Sequence, residues 1–190
     1  YEKIDQLNLT LDVAIISTNS DVRRLAIEEL ISTNRIKNII LEKVAFQNII
    51  DFDYILNLFN KKNINSYVNF PRRLYLSYQN LKRELKNGGN INMLNVGSNW
   101  GLASNSLHLI DLFLFLTESD NLSIKDVCLE KKIFKSKRND FIELKGSLRF
   151  TTTRGDSLYL ADKDSDNNNI IDSVKIENSK MSYIIYEKHE

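Results

Sequence analysis

The 190 residues carry 26 Lys and Arg against 25 Asp and Glu, a formal net charge of +1, with 42% hydrophobic residues. This is the composition of a soluble globular protein long enough for one substantial domain or two small ones. Charges of both signs are interspersed, so there is no electrostatic footprint for a nucleic acid or membrane partner, and the longest apolar run, Leu107 to Leu116, falls well short of the roughly 20 residues that span a bilayer.

The opening stretch YEKIDQLNLTLD lacks the basic n-region and apolar core of a signal peptide. LDVAIIST (11–18) is a continuous apolar run, as expected of a strand buried on both faces. In DVRRLAIEELIST, Val22, Leu25, Ala26, Glu29 and Leu30 recur at helical spacing, with Asn19 or Ser20 available as a cap. IKNIILEK is a second buried strand, DFDYILNLFNKK a second amphipathic helix and INSYVNF a third strand. Strand, helix, strand, helix, strand with short connections implies parallel strands joined by right-handed crossovers, half of a doubly wound sheet.

The pattern changes after Pro71. RRLYLSYQNLKRELKNGG reads as a helix closed by Gly88-Gly89, INMLNVGSN as a strand, and NSLHLIDLFLFL as a nearly all-apolar helix. From Ile124 the segments IKDVCLEKKIF, DFIELKGSLRFTT, SLYLADK and SVKIENSKMSYIIYE alternate in hydropathy, with turn-rich links between them, the signature of a largely antiparallel sheet with one covered face. The single cysteine, Cys128, is expected to be a half-buried strand residue, and the lack of an internal pair fits a reducing cytoplasm. The expected architecture is therefore α/β: the C-terminal half of a Rossmann-like parallel sheet over residues 1–74, then an α+β domain with a largely antiparallel open sheet over residues 75–190. No internal repeat is present, and a half-sheet of this kind leaves one edge strand unpaired.

Ligands of open parallel sheets bind at the carboxyl ends of the strands, which singles out Thr18 and Asn19 after the first strand and Glu42 and Lys43 after the second. No G-x-G-x-x-G occurs anywhere. On the apolar helix, Asn105, His108 and Asp111 fall at i, i+3 and i+6 and share a face. Half-buried polar groups need partners; a ligand pocket is one solution, and pairing with backbone at a domain interface is the other. Imidazole, with a reference pKa of about 6.5, suits removal of a hydroxyl proton near neutrality. Trp100 either walls a sugar site by stacking or anchors an interface. DKDSDNNN (162–169) has Asn167 and Ser173 where a calcium loop needs glycine and glutamate, so it reads as a solvated turn; His189 is a terminal residue, and no metal site is expected.

DVAIIST, NIILEKV, NFPRRLYLSYQNLKRELKNG and GSNWGLASNSLHLIDLFLFL, in that order, resemble the Gfo/Idh/MocA family, the glucose-fructose oxidoreductase and inositol dehydrogenase group. The resemblance covers roughly Asp12 to Leu116, and the strand-rich remainder is similar to that family's second domain. It implies hydride transfer between NAD or NADP and a hydroxyl of a sugar, nucleotide-sugar or sugar derivative in the intact protein, and a homo-oligomer built through the second-domain sheet. By this likeness Thr18 and Asn19 lie beside the cofactor. Glu42-Lys43 match a Glu-Lys-Pro motif whose lysine contacts substrate and nicotinamide, His108 matches the histidine that assists removal of the hydroxyl proton, and Arg73, Asn105 and Asp111 become substrate-binding candidates. Val44 stands where the family usually has proline, and Ser104 where inositol dehydrogenase-like members have aspartate, with Asn105 taking part of that role. The glycine-rich pyrophosphate cradle is not among these residues, so this chain by itself is expected to bind no dinucleotide well. The rival expectation is a non-catalytic, truncated member serving as a sugar-binding or oligomerisation module.

Overall fold

A computed structural model describes residues 8–136, 141–163 and 173–186, so most of the 162–169 turn and His189 lie outside the described residues. The chain divides into two compact units between Phe70 and Pro71, slightly upstream of Leu74, which assigns Arg72 and Arg73 to the second unit.

The first unit runs β1 (Thr10–Ile16), α1 (Arg23–Thr33), β2 (Arg35–Leu41), α2 (Ile49–Lys62) and β3 (Asn65–Val68). The strands pair in the order β1-β2-β3, both pairs parallel. Two successive right-handed crossovers in one direction put both helices on one face of the sheet. Ala14, Ile16, Ile39 and Leu41 pack there against Ile27, Leu30, Ile31, Ile55 and Phe59. The expectation that β1 is buried on both faces is corrected: its alternate residues Val13 and Ile15 are 51% and 68% exposed. Ile15 lies opposite Ile40, and Ile40 opposite Tyr67, so this row of the second face is apolar, with Ile15 and Tyr67 exposed.

The buried stripe of α1 is Arg23, Ile27, Leu30 and Ile31, whereas Val22 and Leu25 face solvent. Spacing of i, i+4, i+7 and i+8 continues the apolar stripe up to an arginine, which an apolar-only pattern cannot anticipate. Neither Asn19 nor Ser20 caps the helix; its N-cap is Val22, with no side-chain hydrogen bond. α2 is conventionally built. The Asn48 side chain accepts from the Asp51 amide at 2.8 Å, Asn63 closes the helix in the left-handed conformation, Asp51 sits in the first turn and Lys61 and Lys62 in the last, satisfying both helix ends and the macrodipole.

The second unit comprises a 3-10 turn (Pro71–Leu74), α3 (Leu76–Leu85), β4 (Asn92–Gly97), α4 (Leu102–Thr117), β5 (Ser123–Leu129), β6 (Phe134–Lys135), β7 (Ile142–Glu143), β8 (Gly146–Thr151), β9 (Ser157–Asp162), β10 (Ser173–Glu177) and β11 (Ser182–Tyr186). Six strands pair in the order β11-β10-β4-β9-β8-β5, antiparallel except for the parallel pair β4-β9, while β6 and β7 form a separate two-stranded ribbon. The helix expected over 72–89 is shorter at both ends. Pro71 opens a separate 3-10 turn, and at the other end Asn178, from the β10-β11 turn, donates to the Leu85 carbonyl at 3.1 Å and terminates α3. A Cβ at Gly88 would fall on the Asn178 side chain, which would have to give up this position. The two long strands expected over 124–134 and 140–152 each break in two, β5/β6 and β7/β8. One face of the sheet, with Met93, Phe150, Leu158, Leu160, Val174 and Ile176, is buried in one core with Tyr78, Leu81 and Leu85 of α3 and Leu109, Leu112, Phe113 and Leu116 of α4. Cys128 is exposed rather than half-buried, because β5 is the sheet edge and every one of its residues is exposed.

Candidate functional site

In the first unit the candidate residues gather at the carboxyl ends of β1 and β2, as the parallel topology demands. Thr18 and Asn19 are exposed, and Glu42 and Lys43 are half-buried. The Glu42 amide donates to the Ile16 carbonyl at 3.1 Å, which continues the β1-β2 ladder past the last strand residue. The Glu42 carboxylate accepts from the Asn69 side chain at 2.7 Å, and the Asn69 amide donates to Leu41 O at 2.8 Å. The residue that follows β3 thus fixes the acid that precedes Lys43. The Lys43–Val44 peptide is cis.

Beneath this turn lies Arg23, 2% exposed. Its Nη1 donates to the carbonyls of Glu42, Val44 and Ala45, the last at 3.0 Å, and its Nη2 donates to the carbonyl of Thr18. A buried cation is tolerable only when its donors are satisfied, and here the acceptors are backbone carbonyls that leave two strands with no ladder partner. Nearby, an apolar recess of about 170 Å³ is lined by Leu41, Phe46, Phe52, Ile55, Phe59 and Tyr67, among others.

The fit to a dinucleotide is partial. Exposed Thr18 and Asn19 offer hydroxyl and amide groups at a strand end, where a nicotinamide or ribose can be hydrogen-bonded. The β1-α1 connection, Ser17 to Val22, contains no glycine and carries Asp21, so it offers neither close backbone approach nor favourable charge to a pyrophosphate.

In the second unit the site is the amino end and one flank of α4. Gly101 has φ +86°, a left-handed conformation that costs glycine little. A Cβ there would lie 2.7 Å from Ser104 Oγ and 3.0 Å from Glu143 Oε1. Buried Asp162 accepts from the amides of Asn99 at 2.6 Å and Gly101 at 2.9 Å, and Glu143 accepts from the Ala103 amide at 3.0 Å. Two carboxylates therefore secure the start of this helix, where negative charge is favoured.

The stripe of three polar residues now separates into three cases. Asn105 donates to the Trp100 carbonyl at 2.5 Å, while the Trp100 indole donates to Ala161 O at 2.9 Å; asparagine and tryptophan together fasten the loop before α4. Asp111 receives two bonds from Arg73, one from Nε at 2.9 Å and one from Nη2. Asp111 is largely covered, with its side chain 11% exposed against 44% for Arg73. The structure thus brings Arg73 and Asp111 to each other, a bidentate side-chain pair rather than the backbone contact considered above. His108 lies on the same helix face, one turn from Asn105 and one from Asp111, and is half-buried. Among the described residues no group of three or more His, Cys, Asp or Glu is placed to hold a metal ion, and no helix is long and apolar enough to cross a membrane.

Arg23, Asn69, Glu143 and Asp162 were not legible as site residues. Arg23 had a signal, being the continuation of the Ile27, Leu30, Ile31 stripe. The other three act from 27 to 63 residues away in sequence, and nothing local marks them.

No family model matches the sequence, and no curated protein matches it. Solved structures do. A dehydrogenase, MviM, from Clostridium difficile is 16% identical, with a TM-score of 0.64 over 97% of this chain and 60% of its own. A myo-inositol dehydrogenase from Lactobacillus casei, solved with NAD(H) and myo-inositol, is 15% identical, with a TM-score of 0.63 over 94% of this chain and 56% of its own. A super-repressor mutant of Gal80p from Saccharomyces cerevisiae is 12% identical, with a TM-score of 0.65 over 92% and 55%. The chain thus shares the fold of these dehydrogenase structures over the part that aligns, and it spans 60% or less of the length of each of these neighbours.

Proposed function

We propose that this chain forms the substrate-handling part of an NAD(P)-dependent oxidoreductase that acts on a hydroxyl of a sugar, nucleotide-sugar or sugar derivative. The observation that carries the reading is the turn after β2: an acid and a lysine held at the carboxyl end of a parallel strand, in the fold of dehydrogenases that include one solved with NAD(H) and myo-inositol. In this reading a bound nicotinamide would supply the hydride acceptor for the substrate carbon. Lys43 donates a hydrogen bond to the reacting hydroxyl oxygen and steadies the charge that develops there. His108, in the second unit, is the group that the family resemblance assigns to the hydroxyl proton. Thr18 and Asn19 hydrogen-bond the nicotinamide end of the cofactor, Asn105 lends substrate contact from the start of α4, and the Arg73–Asp111 pair borders the same helix face.

The pyrophosphate cradle comes, in this reading, from a glycine-containing strand-turn-helix that adds to the open edge of β1. Among the described residues β1 ends the strand order, so its outer edge is where a further parallel strand would pair. The test is turnover by the protein as its cells make it, compared with Lys43→Met and His108→Ala. Each variant is expected to lose about 10²-fold or more in kcat; rates near the native one in both would overturn the assignment.

A second reading is favoured by the uncovered face of the six-stranded sheet and by the presence of a repressor among the neighbours. Ile184, Lys175, Leu94, Tyr159, Arg149 and Asp126 are register partners in turn across all six strands, on the face opposite the core. With Ile184 55% and Leu94 38% exposed, this row suits a second copy of the chain. A dimer in solution that copurifies with no nicotinamide would favour a non-catalytic binding or oligomerisation module.

A further inference from the structure

We infer that Arg23 is the positioning residue of the Glu42-Lys43 turn, the group that sets where the Lys43 backbone stands relative to the end of β1. The inference rests on the reading that Lys43 meets the substrate, and it concerns how that lysine is held.

The geometry is specific. One nitrogen, Nη1, donates to the carbonyl before Lys43, that of Glu42, and to the carbonyl after it, that of Val44, and also reaches Ala45. The Glu42–Lys43 peptide, and the Val44–Ala45 peptide one residue further on, are thereby fastened to one planar group, so the turn that carries Lys43 is held on both sides of it. The second nitrogen, Nη2, donates to Thr18, the residue at the neighbouring strand end. A guanidinium is rigid and presents its donors in a fixed fork, so it ties the Thr18 and Lys43 segments together beyond the last ladder bond, from the Glu42 amide to the Ile16 carbonyl. Lysine has one compact ammonium with three donors and cannot span both nitrogens' partners. Arg23 itself is fastened from below, since its helix is packed through Ile27, Leu30 and Ile31 into the core of the first unit. Coupling of this kind fits an oxidoreductase: Thr18 and Asn19 on one side and Lys43 on the other must keep register for cofactor and substrate to meet at hydride-transfer distance. Arg23 touches neither and acts through the backbone.

The experiment uses the full chain with its lysines reductively methylated with ¹³C, with Lys43→Arg made in both the native and the Arg23→Lys background to identify the Lys43 signal and keep it apart from that of the lysine introduced at position 23. In a folded Arg23→Lys variant the Lys43 signal is expected to move to the position of exposed lysines, while the signals of Lys61 and Lys62 stay fixed. The carbonyl ¹³C signals of Thr18, Glu42, Val44 and Ala45 should move upfield together. An Arg23 whose role was only to stabilise the unit would leave the Lys43 signal at its native position in the folded variant, and that result overturns the inference. Should Arg23→Lys not fold, the native chain decides the matter. Four resolved, slowly exchanging Arg23 Hη protons are expected, and a single averaged signal typical of solvated arginine would overturn the assignment. The two readings fail separately: a moved Lys43 signal with turnover undiminished in Lys43→Met keeps Arg23 as the clamp and removes the catalytic role of Lys43.

Discussion

The two units solve the problem of presenting polar side chains in opposite ways. In the first, the candidate residues stand at strand ends and the holding is done by backbone acceptance, with four carbonyls gathered on the buried guanidinium of Arg23. In the second, polar side chains on an apolar helix hold one another's surroundings: Asn105 fastens the Trp100 loop and Asp111 takes Arg73. The difference teaches that a polar residue spaced along an apolar stripe is not by that fact a ligand contact. Of the three on α4, two have structural employment within the unit, and His108 carries the chemical hypothesis.

Replacing Arg23 should break the first arrangement most severely. Arg23→Met strands four carbonyls in a buried place, and at roughly 1–3 kcal/mol for each unsatisfied buried group the first unit is expected to lose about 3 kcal/mol or more, read by denaturant unfolding. A loss under about 1 kcal/mol would mean that water or another donor replaces the guanidinium.

The second arrangement is more forgiving. Arg73→Ala and Asp111→Ala should each cost about 1 kcal/mol or less, as expected for a partly exposed pair, and the double variant should cost no more than the larger single. Additive effects in that cycle would show that the two residues have separate partners. If Arg73 also meets substrate, its replacement raises KM while Asp111→Ala leaves KM alone, a contrast that sharpens the distinction between holding and binding.

Acid should act on the second unit through Asp156. Although this fully buried carboxylate is raised by desolvation, hydrogen bonds from the Arg154 side chain, the Ile91 amide and the Thr152 hydroxyl hold it below its ordinary value of 3.8. A group whose folded pKa is depressed stabilises the fold above its unfolded pKa, and that contribution is lost as pH falls through the folded value. Unfolding free energy is therefore expected to decline below about pH 4, and Asp156→Asn should flatten that part of the curve. An unchanged acid limb in the variant would assign the decline to other carboxylates. The smallest expected effect on fold stability is that of Leu94→Asp on the open sheet face. It should leave the unfolding curve almost unmoved while shifting any dimer seen by sedimentation toward monomer; an unshifted dimer would place the interface elsewhere.

Much of the architecture was legible in the sequence for physical reasons that can be named. The alternation of strand and helix before Pro71 and the period-2 segments after Ile124 reflect which faces must be buried. The same logic misread β1, because continuous apolar residues normally signal burial on both faces and here one face is left bare. It also misplaced the stripe of α1, where the most buried side chain is an arginine. Positions at strand ends followed from topology alone, so Thr18, Asn19, Glu42 and Lys43 could be found. Long-range holders such as Asn69, Glu143 and Asp162 could not, since a cap or clamp supplied from another element leaves no local pattern. Nor could the pairing of Arg73 with Asp111 be read, because it depends on how the Pro71 turn meets α4.

The most direct measurement is NAD(P)H formation by the native protein and by its Lys43→Met variant with sugars and cyclitols as substrates. The account predicts reduction of the nicotinamide by the native protein and a loss of about 10²-fold or more in the variant. Undiminished turnover in Lys43→Met would contradict it.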